Sequence, residues 1–344
     1  MISSVFIDMA FIYIQSLLSS ISPALDHVWV ALLISLIIFA VILSIIVSAF
    51  VVVFSWLERK IIARAQSRRG PVYVGRFGIL QNIADLIKLI IKENIVPEMA
   101  DKRLFLAALP AVYALYFLVL AFLPLTSTFV GIGTSIGLIL VFMLLSFVPI
   151  ILFIAGWTSG NKFGSISSQR SIVMLLSYEI PLILILASIA LVAHSYSLTS
   201  IVEAQSHIWY AAIIPIGFIL FLIIMVAEME RPPFDLREAD SELISGWLTD
   251  VSAPYYALSL FLDYTRVFVG ALIITLLFLG GWNGPVLPPF AWLMIKISAI
   301  TVLLILIRAT TVRMRIGNVL RLGWLYLLPI SVINLFITFA LFVR

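Results

Sequence analysis

Apolar runs of twenty or more residues recur from one end of the chain to the other, separated by shorter stretches that hold nearly all the charge. Each run could carry an α-helix across the roughly 30 Å hydrocarbon core of a bilayer. The runs are too continuous for transmembrane β-strands, which alternate apolar and polar positions over about ten residues. The pattern therefore predicts an all-α polytopic membrane protein, a bundle of about eight transmembrane helices forming one integral membrane domain over residues 1–344. The spans fall at about 29–56, 104–125, 136–155, 172–193, 209–227, 253–280, 289–307 and 324–343. Residues 1–27 are also apolar but carry Asp8 and Asp26, with no basic leader and no small-residue cleavage motif. That argues against a signal peptide and for an outer-side interfacial segment before a long, tilted first span.

Two connections stand out. The first, 57–103, is long for a membrane loop. Arg-Gly-Pro and the pair Gly75 and Gly78 mark a turn. Beyond it Gln81, Asp85, Lys88 and Lys92 recur at helical spacing, with Ile83, Ile87, Leu89 and Ile90 mostly opposite. This predicts an amphipathic helix on the membrane surface. A lipid-headgroup anchor and a docking platform for a cytoplasmic partner fit that pattern equally well. The second connection, 228–252, begins with six carboxylates between positions 228 and 242, interrupted by Pro232-Pro233.

Composition narrows the function. The 344 residues are 63% hydrophobic with a mean hydropathy of +1.21, outside the range of soluble domains. There is no cysteine, so no thiolate of this chain can hold an iron–sulfur cluster. The three histidines, His27, His194 and His207, lie outside the apolar runs, which argues against a membrane haem. Any electrons must come from another subunit. The net charge of +4 reports topology, not nucleic acid: 18 of the 21 basic residues fall in connections on one side of the predicted bundle. The positive-inside rule makes that side cytoplasmic, with the large loops, and places both termini outside.

Charges inside the spans are costly and by default functional. Glu179 is expected about eight residues into the fourth span. Asp263 and Arg266, three residues apart on one helix face, are expected to pair. Lys296 lies in the seventh span. In the acidic loop, Asp235, Glu238 and Glu242 would stack if the segment were helical. Like charges so close cannot all ionise cheaply, so some pKa values should rise, as in a proton reservoir or relay. A solvated acidic loop is the plainer alternative.

Several longer motifs then add a resemblance. LERK at 57–60, RRGP at 68–71, LQNIADLIKLIIKE at 80–93, GWTSGNKF at 156–163 and SYEIP at 177–181 occur in that order. RPPFDLREADSELISGW follows, then FLGGW at 278–282 and IRATTVRMR at 307–315. Over about 55–340 the sequence resembles the H subunit of complex I, the NADH:quinone oxidoreductase, and its relatives in deazaflavin-dependent dehydrogenases and membrane-bound hydrogenases. The resemblance implies a membrane subunit with no redox centre of its own. A lipid-soluble carrier, a quinone or a phenazine-type molecule, would enter between its helices. It would meet iron–sulfur clusters held by hydrophilic subunits on the cytoplasmic face. Antiporter-like and small membrane subunits would be the other partners.

By the same resemblance, a proton relay would comprise Glu179, Glu228, Asp235, Glu238, Asp240, Glu242, Asp250 and Asp263. Arg59, Tyr264 and Arg308 would border the carrier. Arg68, Arg69, Asp85, Lys88 and Lys92 would serve partner docking. The match has departures: Val72 follows Gly70-Pro71 where Asn is usual, Leu325 follows Trp324 where Lys is usual, and Asp240, Asp250 and Asp263 stand where Glu is commoner. Without the resemblance, a secondary transporter or channel with buried acids and a plain membrane anchor would remain level. A transporter should show paired broken helices near the midplane, whereas these acids gather at one end.

Overall fold

The computed structural model describes residues 28–342 and, before them, Met9, Ile12, Gln15 and Ser16. The segment 1–27 read above as interfacial falls outside it but for those four, as do Arg344 and the side chain of Asp240. The described residues contain helices and no strand. Seven helices are long and apolar enough to cross a membrane, and an eighth apolar helix is shorter. We label the main helices α1 (Val28–Ala65), α2 (Gln81–Ile91), α3 (Lys102–Phe122), α4 (Gly137–Thr158) and α5 (Lys162–Ala193). The rest are α6 (Pro215–Glu228), α7 (Ala253–Phe278), α8 (Pro289–Thr310) and α9 (Ile316–Phe342).

Boundaries differ from the expected spans where local chemistry intervenes. α5 starts at Lys162 rather than near 172, because Asn161 caps it by accepting from the Phe163 N–H at 3.1 Å. Its polar first turns stay helical because Ser167, Ser168 and Ser171 are buried. They face a 3₁₀ turn, Gly246–Asp250. Gly246 is required there: its φ is +57°, and a Cβ would meet the Ser167 Oγ at 2.7 Å. The fifth expected span is broken at Pro215, leaving a four-residue turn, Tyr210–Ile213, ahead of a 14-residue α6. In α9 the stretch Leu322–Leu327 is a π-helix, and Gly323 lies directly on Ser177 of α5.

α7 is the axis of the bundle, with almost every residue from Thr265 to Phe278 buried. Phe50 and Phe54 of α1 stack at 4.1 Å, and Phe50 also meets Phe268 of α7 at 4.7 Å. Phe221 of α6 packs on Phe278 at 5.1 Å and edge-on to Phe142 of α4. The outer faces of α1, α4 and α9 expose rows of Ile, Val, Leu and Phe. Such all-round apolarity suits helices solvated by lipid. The surface helix also forms. None of its residues is buried within the protein, so the apolar side of α2 is left for lipid.

One end of the bundle is closed by polar pins. Gln205, fully buried, donates to the Ile201 and Leu276 carbonyls and accepts from Gly280 N–H at 2.9 Å. Lys296, which the sequence marks as an in-span charge, is also structural. Its Nζ donates to the carbonyls of Leu279, Gly281 and Asn283 at 2.8, 2.9 and 2.8 Å and lies 5.1 Å from the Trp209 ring centre. It thereby satisfies the free carbonyls where α7 ends. Lys296→Met should cost roughly 2–3 kcal/mol, because three carbonyls at a part-buried helix end lose a charged donor. A lowered thermal midpoint with an unchanged subunit content would show it.

Candidate functional site

The opposite end gathers the charged loops. Residues 229–252 fold over the ends of α5, α6, α7 and α8. They are tied down by backbone and side-chain bonds: Met314 N–H to the Pro233 carbonyl (3.0 Å), Ser167 Oγ to the Arg237 carbonyl (2.8 Å) and Ile95 N–H to Ser252 Oγ (3.0 Å). The Pro232-Pro233 bond is cis. Beneath this loop lies a polar chamber of about 190 Å³. Four carboxylates line it, Glu230, Asp235, Glu238 and Asp263, along with four guanidiniums, Arg231, Arg237, Arg266 and Arg308.

The chamber is built from shared charges. Arg237, whose side chain is 2% exposed, grips Glu230 with two bonds of 3.0 and 2.6 Å and reaches Glu238 at 3.3 Å. Its guanidinium sits 4.9 Å from the centre of the Trp247 ring. Arg266 of α7 bonds the same Glu230. The expected Asp263–Arg266 pair is present but long, at 3.9 Å. Arg266 turns to Glu230 because the buried loop brings it a carboxylate in better geometry. Glu58 of α1, nearly buried, accepts from Arg231 at 3.2 Å and from Arg308. Burial alone would weaken the proton affinity of Arg231, but Glu58, Tyr264, Asp263 and Glu238 together outweigh it and hold its pKa above the ordinary value.

The acids of the loop do not stack on helical turns. Residues 235–239 are irregular and only Asp240–Leu243 makes one turn, so Asp235, Glu238 and Glu242 go to different arginines. Asp235 meets Arg313 at 3.1 Å, and Glu242, half exposed, meets Arg170 at 2.6 Å. Burial pushes the Asp235 carboxyl above its ordinary range, reinforced by Glu238 and opposed by Arg313. Asp250 lies apart on the 3₁₀ turn, with Oδ2 buried and unpartnered. Glu228 is buried at the end of α6, with Tyr178 of α5 as its hydrogen-bond neighbour. Glu179, the next residue, is midway along α5 rather than near its start, since the helix begins ten residues early. Its Oε1 accepts from Ser146 of α4 at 2.5 Å, and it faces a 570 Å³ apolar groove between α4 and α5.

Of the residues expected to border a carrier, Tyr264 and Arg308 line the chamber. Arg59 does not; it pairs with Asp85 of α2 at 2.8 Å. Burial would raise the Asp85 pKa, but hydrogen bonds from Arg59 and Gln81 prevail and lower it. Arg59 and Asp85 instead line a lateral groove of about 220 Å³ between α1, α2 and α7. Tyr264 lines both this groove and the chamber, standing between them. Arg68, Arg69, Lys88 and Lys92 are exposed on the same end of the molecule. Among the described residues, no cluster of His, Cys, Asp or Glu is arranged to hold a metal ion.

Sequence reading missed Glu58 and Glu230 as site residues, and with them Arg231, Arg237 and Arg266 as their partners. Glu58 carried a signal: it is an acid closing a long apolar run just before Arg59 and Lys60. A carboxylate so placed must find a cation.

Comparison with known proteins agrees with the motifs. Residues 33–339 match the family described as NADH dehydrogenase. The chain is 40% identical over 288 residues to the NADH-quinone oxidoreductase H subunit of Dehalococcoides mccartyi (strain CBDB1), covering 84% of this chain and 81% of that one. It is 41% identical over 295 residues to the protein of the same name from Bacillus thuringiensis (strain Al Hakam), covering 84% and 88%.

Proposed function

The chain belongs to the family of NADH-quinone oxidoreductase H subunits, the membrane subunits of complex I, and on that premise we propose what its charged chamber does. A quinone-like carrier enters from the bilayer through the groove between α1, α2 and α7, passes Tyr264 and brings its head group to the chamber. Reduction there changes the local charge. The carboxylates of the loop, then Glu228 and Glu179, pass that change toward the middle of the membrane as proton movement. One observation carries this reading: a chamber lined by four acids and four arginines adjoins a lipid-facing groove, with one tyrosine on both walls.

The electrons come from hydrophilic iron–sulfur subunits seated on the charged end, which the positive-inside rule makes the cytoplasmic face. Arg68, Arg69, Lys88 and Lys92 lie exposed there to receive them. Antiporter-like and small membrane subunits take up the proton movement. A transporter or channel is disfavoured, because the charge network sits at one end of the bundle rather than at the midplane between broken helices.

Gentle solubilisation tests the assignment. The chain should co-purify with iron–sulfur proteins and support carrier reduction only in their company. A stoichiometric redox group on the purified single chain, or carrier reduction by it alone, would overturn the reading.

A further inference from the structure

Two of the chamber's four guanidiniums are unlike the others. Arg237 and Arg266 are matched by Glu230, Glu238 and Asp263, and Asp235 is matched by Arg313 from outside the chamber. Arg231 and Arg308 have one carboxylate between them, the Oε1 of Glu58. Glu58 does not line the chamber; it lies behind the two arginines, in a far smaller cavity with Phe54, Val267 and Leu304. Arg231 is further fixed by the Asp263 carbonyl at 3.3 Å and by the Tyr264 ring 5.1 Å away. The wall formed by Arg231 and Arg308 is thus two cations backed by one buried anion, with Asp263 and Glu238 acting on Arg231 from further off.

We infer that Glu58 is a positioning residue that sets how strongly the chamber holds a negatively charged form of the carrier. The inference rests on the carrier reading above. With Glu58 charged, the two guanidiniums are aimed into the chamber yet half neutralised, so an anion is attracted but not trapped. Without that charge the wall gains one net positive charge in a partly buried site, where screening is weaker than in bulk water. An anionic ligand would then be held tightly by the planar donors of both arginines, which suit an oxygen anion. A neutral ligand of the same shape would feel little difference.

The test uses the whole complex in native membranes. An alkyl hydroxynaphthoquinone, anionic at neutral pH, and its uncharged O-methyl ether compete with the carrier. Glu58→Gln keeps the shape and can still accept a hydrogen bond. It should tighten inhibition by the anion at least ~10-fold and leave that by the ether unchanged. Arg308→Met should do the reverse, weakening the anion by a similar factor and sparing the ether, and it carries the test alone if Glu58→Gln does not assemble. Equal shifts for both ligands in either variant would mean that Glu58 only supports structure, and would overturn the inference. If neither ligand competes in the unaltered complex, the chamber is no carrier site, and both the carrier reading and this inference fall. Competition without discrimination overturns this inference alone.

Discussion

Glu230→Leu should loosen the whole charged end of the molecule, at a cost of roughly 3–5 kcal/mol. Glu230 is the hub between two guanidiniums that are almost completely buried, Arg237 at 2% and Arg266 at 3% side-chain exposure. Remove it, and Arg237 keeps one 3.3 Å contact with Glu238, while Arg266 keeps only the 3.9 Å contact with Asp263. Two cations are then poorly compensated in a site they cannot leave. The variant complex should unfold at lower temperature, and residues 231–252 should become open to protease. Glu230→Gln should be milder, because an amide oxygen still accepts from both arginines. The double variant Glu230→Leu/Arg266→Leu should be less damaging than the sum of its parts, since the second change removes one stranded charge. A thermal midpoint unmoved in Glu230→Leu would mean that the hub holds nothing together.

That hub shows where sequence reading stops. Glu179 and Glu228 could be picked out because each is a lone carboxylate against an apolar background, and the cost of such a charge is a local property. Their neighbours could not. Glu230 meets Arg266 across 36 positions and Glu58 meets Arg308 across 250, and no periodicity links positions so far apart. The acids of the loop misled for the same reason: spacing of three and four suggested helical stacking, but tertiary partners decided otherwise. Helix ends misled through hydropathy. The serines and Arg170 at the start of α5 look like a loop, yet they form a helix whose polar face is buried under Gly246–Asp250 and Glu242. Lys296 illustrates a different limit. A charge inside a span can be functional or can close a helix end, and only the three carbonyls around its Nζ separate the two.

Glu179→Gln should leave the complex assembled and cut proton translocation with the turnover linked to it, by roughly 10–100-fold. The substitution preserves size, and the new amide oxygen can still accept from the Ser146 hydroxyl, so packing between α4 and α5 should survive. What disappears is the carboxylate on the wall of the 570 Å³ groove. Glu179 is adjacent in sequence to Tyr178, the neighbour of Glu228, so it lies one step further into the membrane than the acids of the chamber. In the proposed relay this carboxylate follows Glu228, whose charge it already feels. Ser146→Ala provides the control: it removes a hydrogen bond but keeps the titratable group, so any loss should be small. Sealed vesicles allow both quantities to be read at once, carrier reduction and acidification. Suppose Glu179→Gln assembles and pumps at the unaltered proton-to-electron ratio and rate. The carboxylate would then be a polar contact for a neighbouring helix, and the path from the chamber would have to leave the subunit before reaching α5.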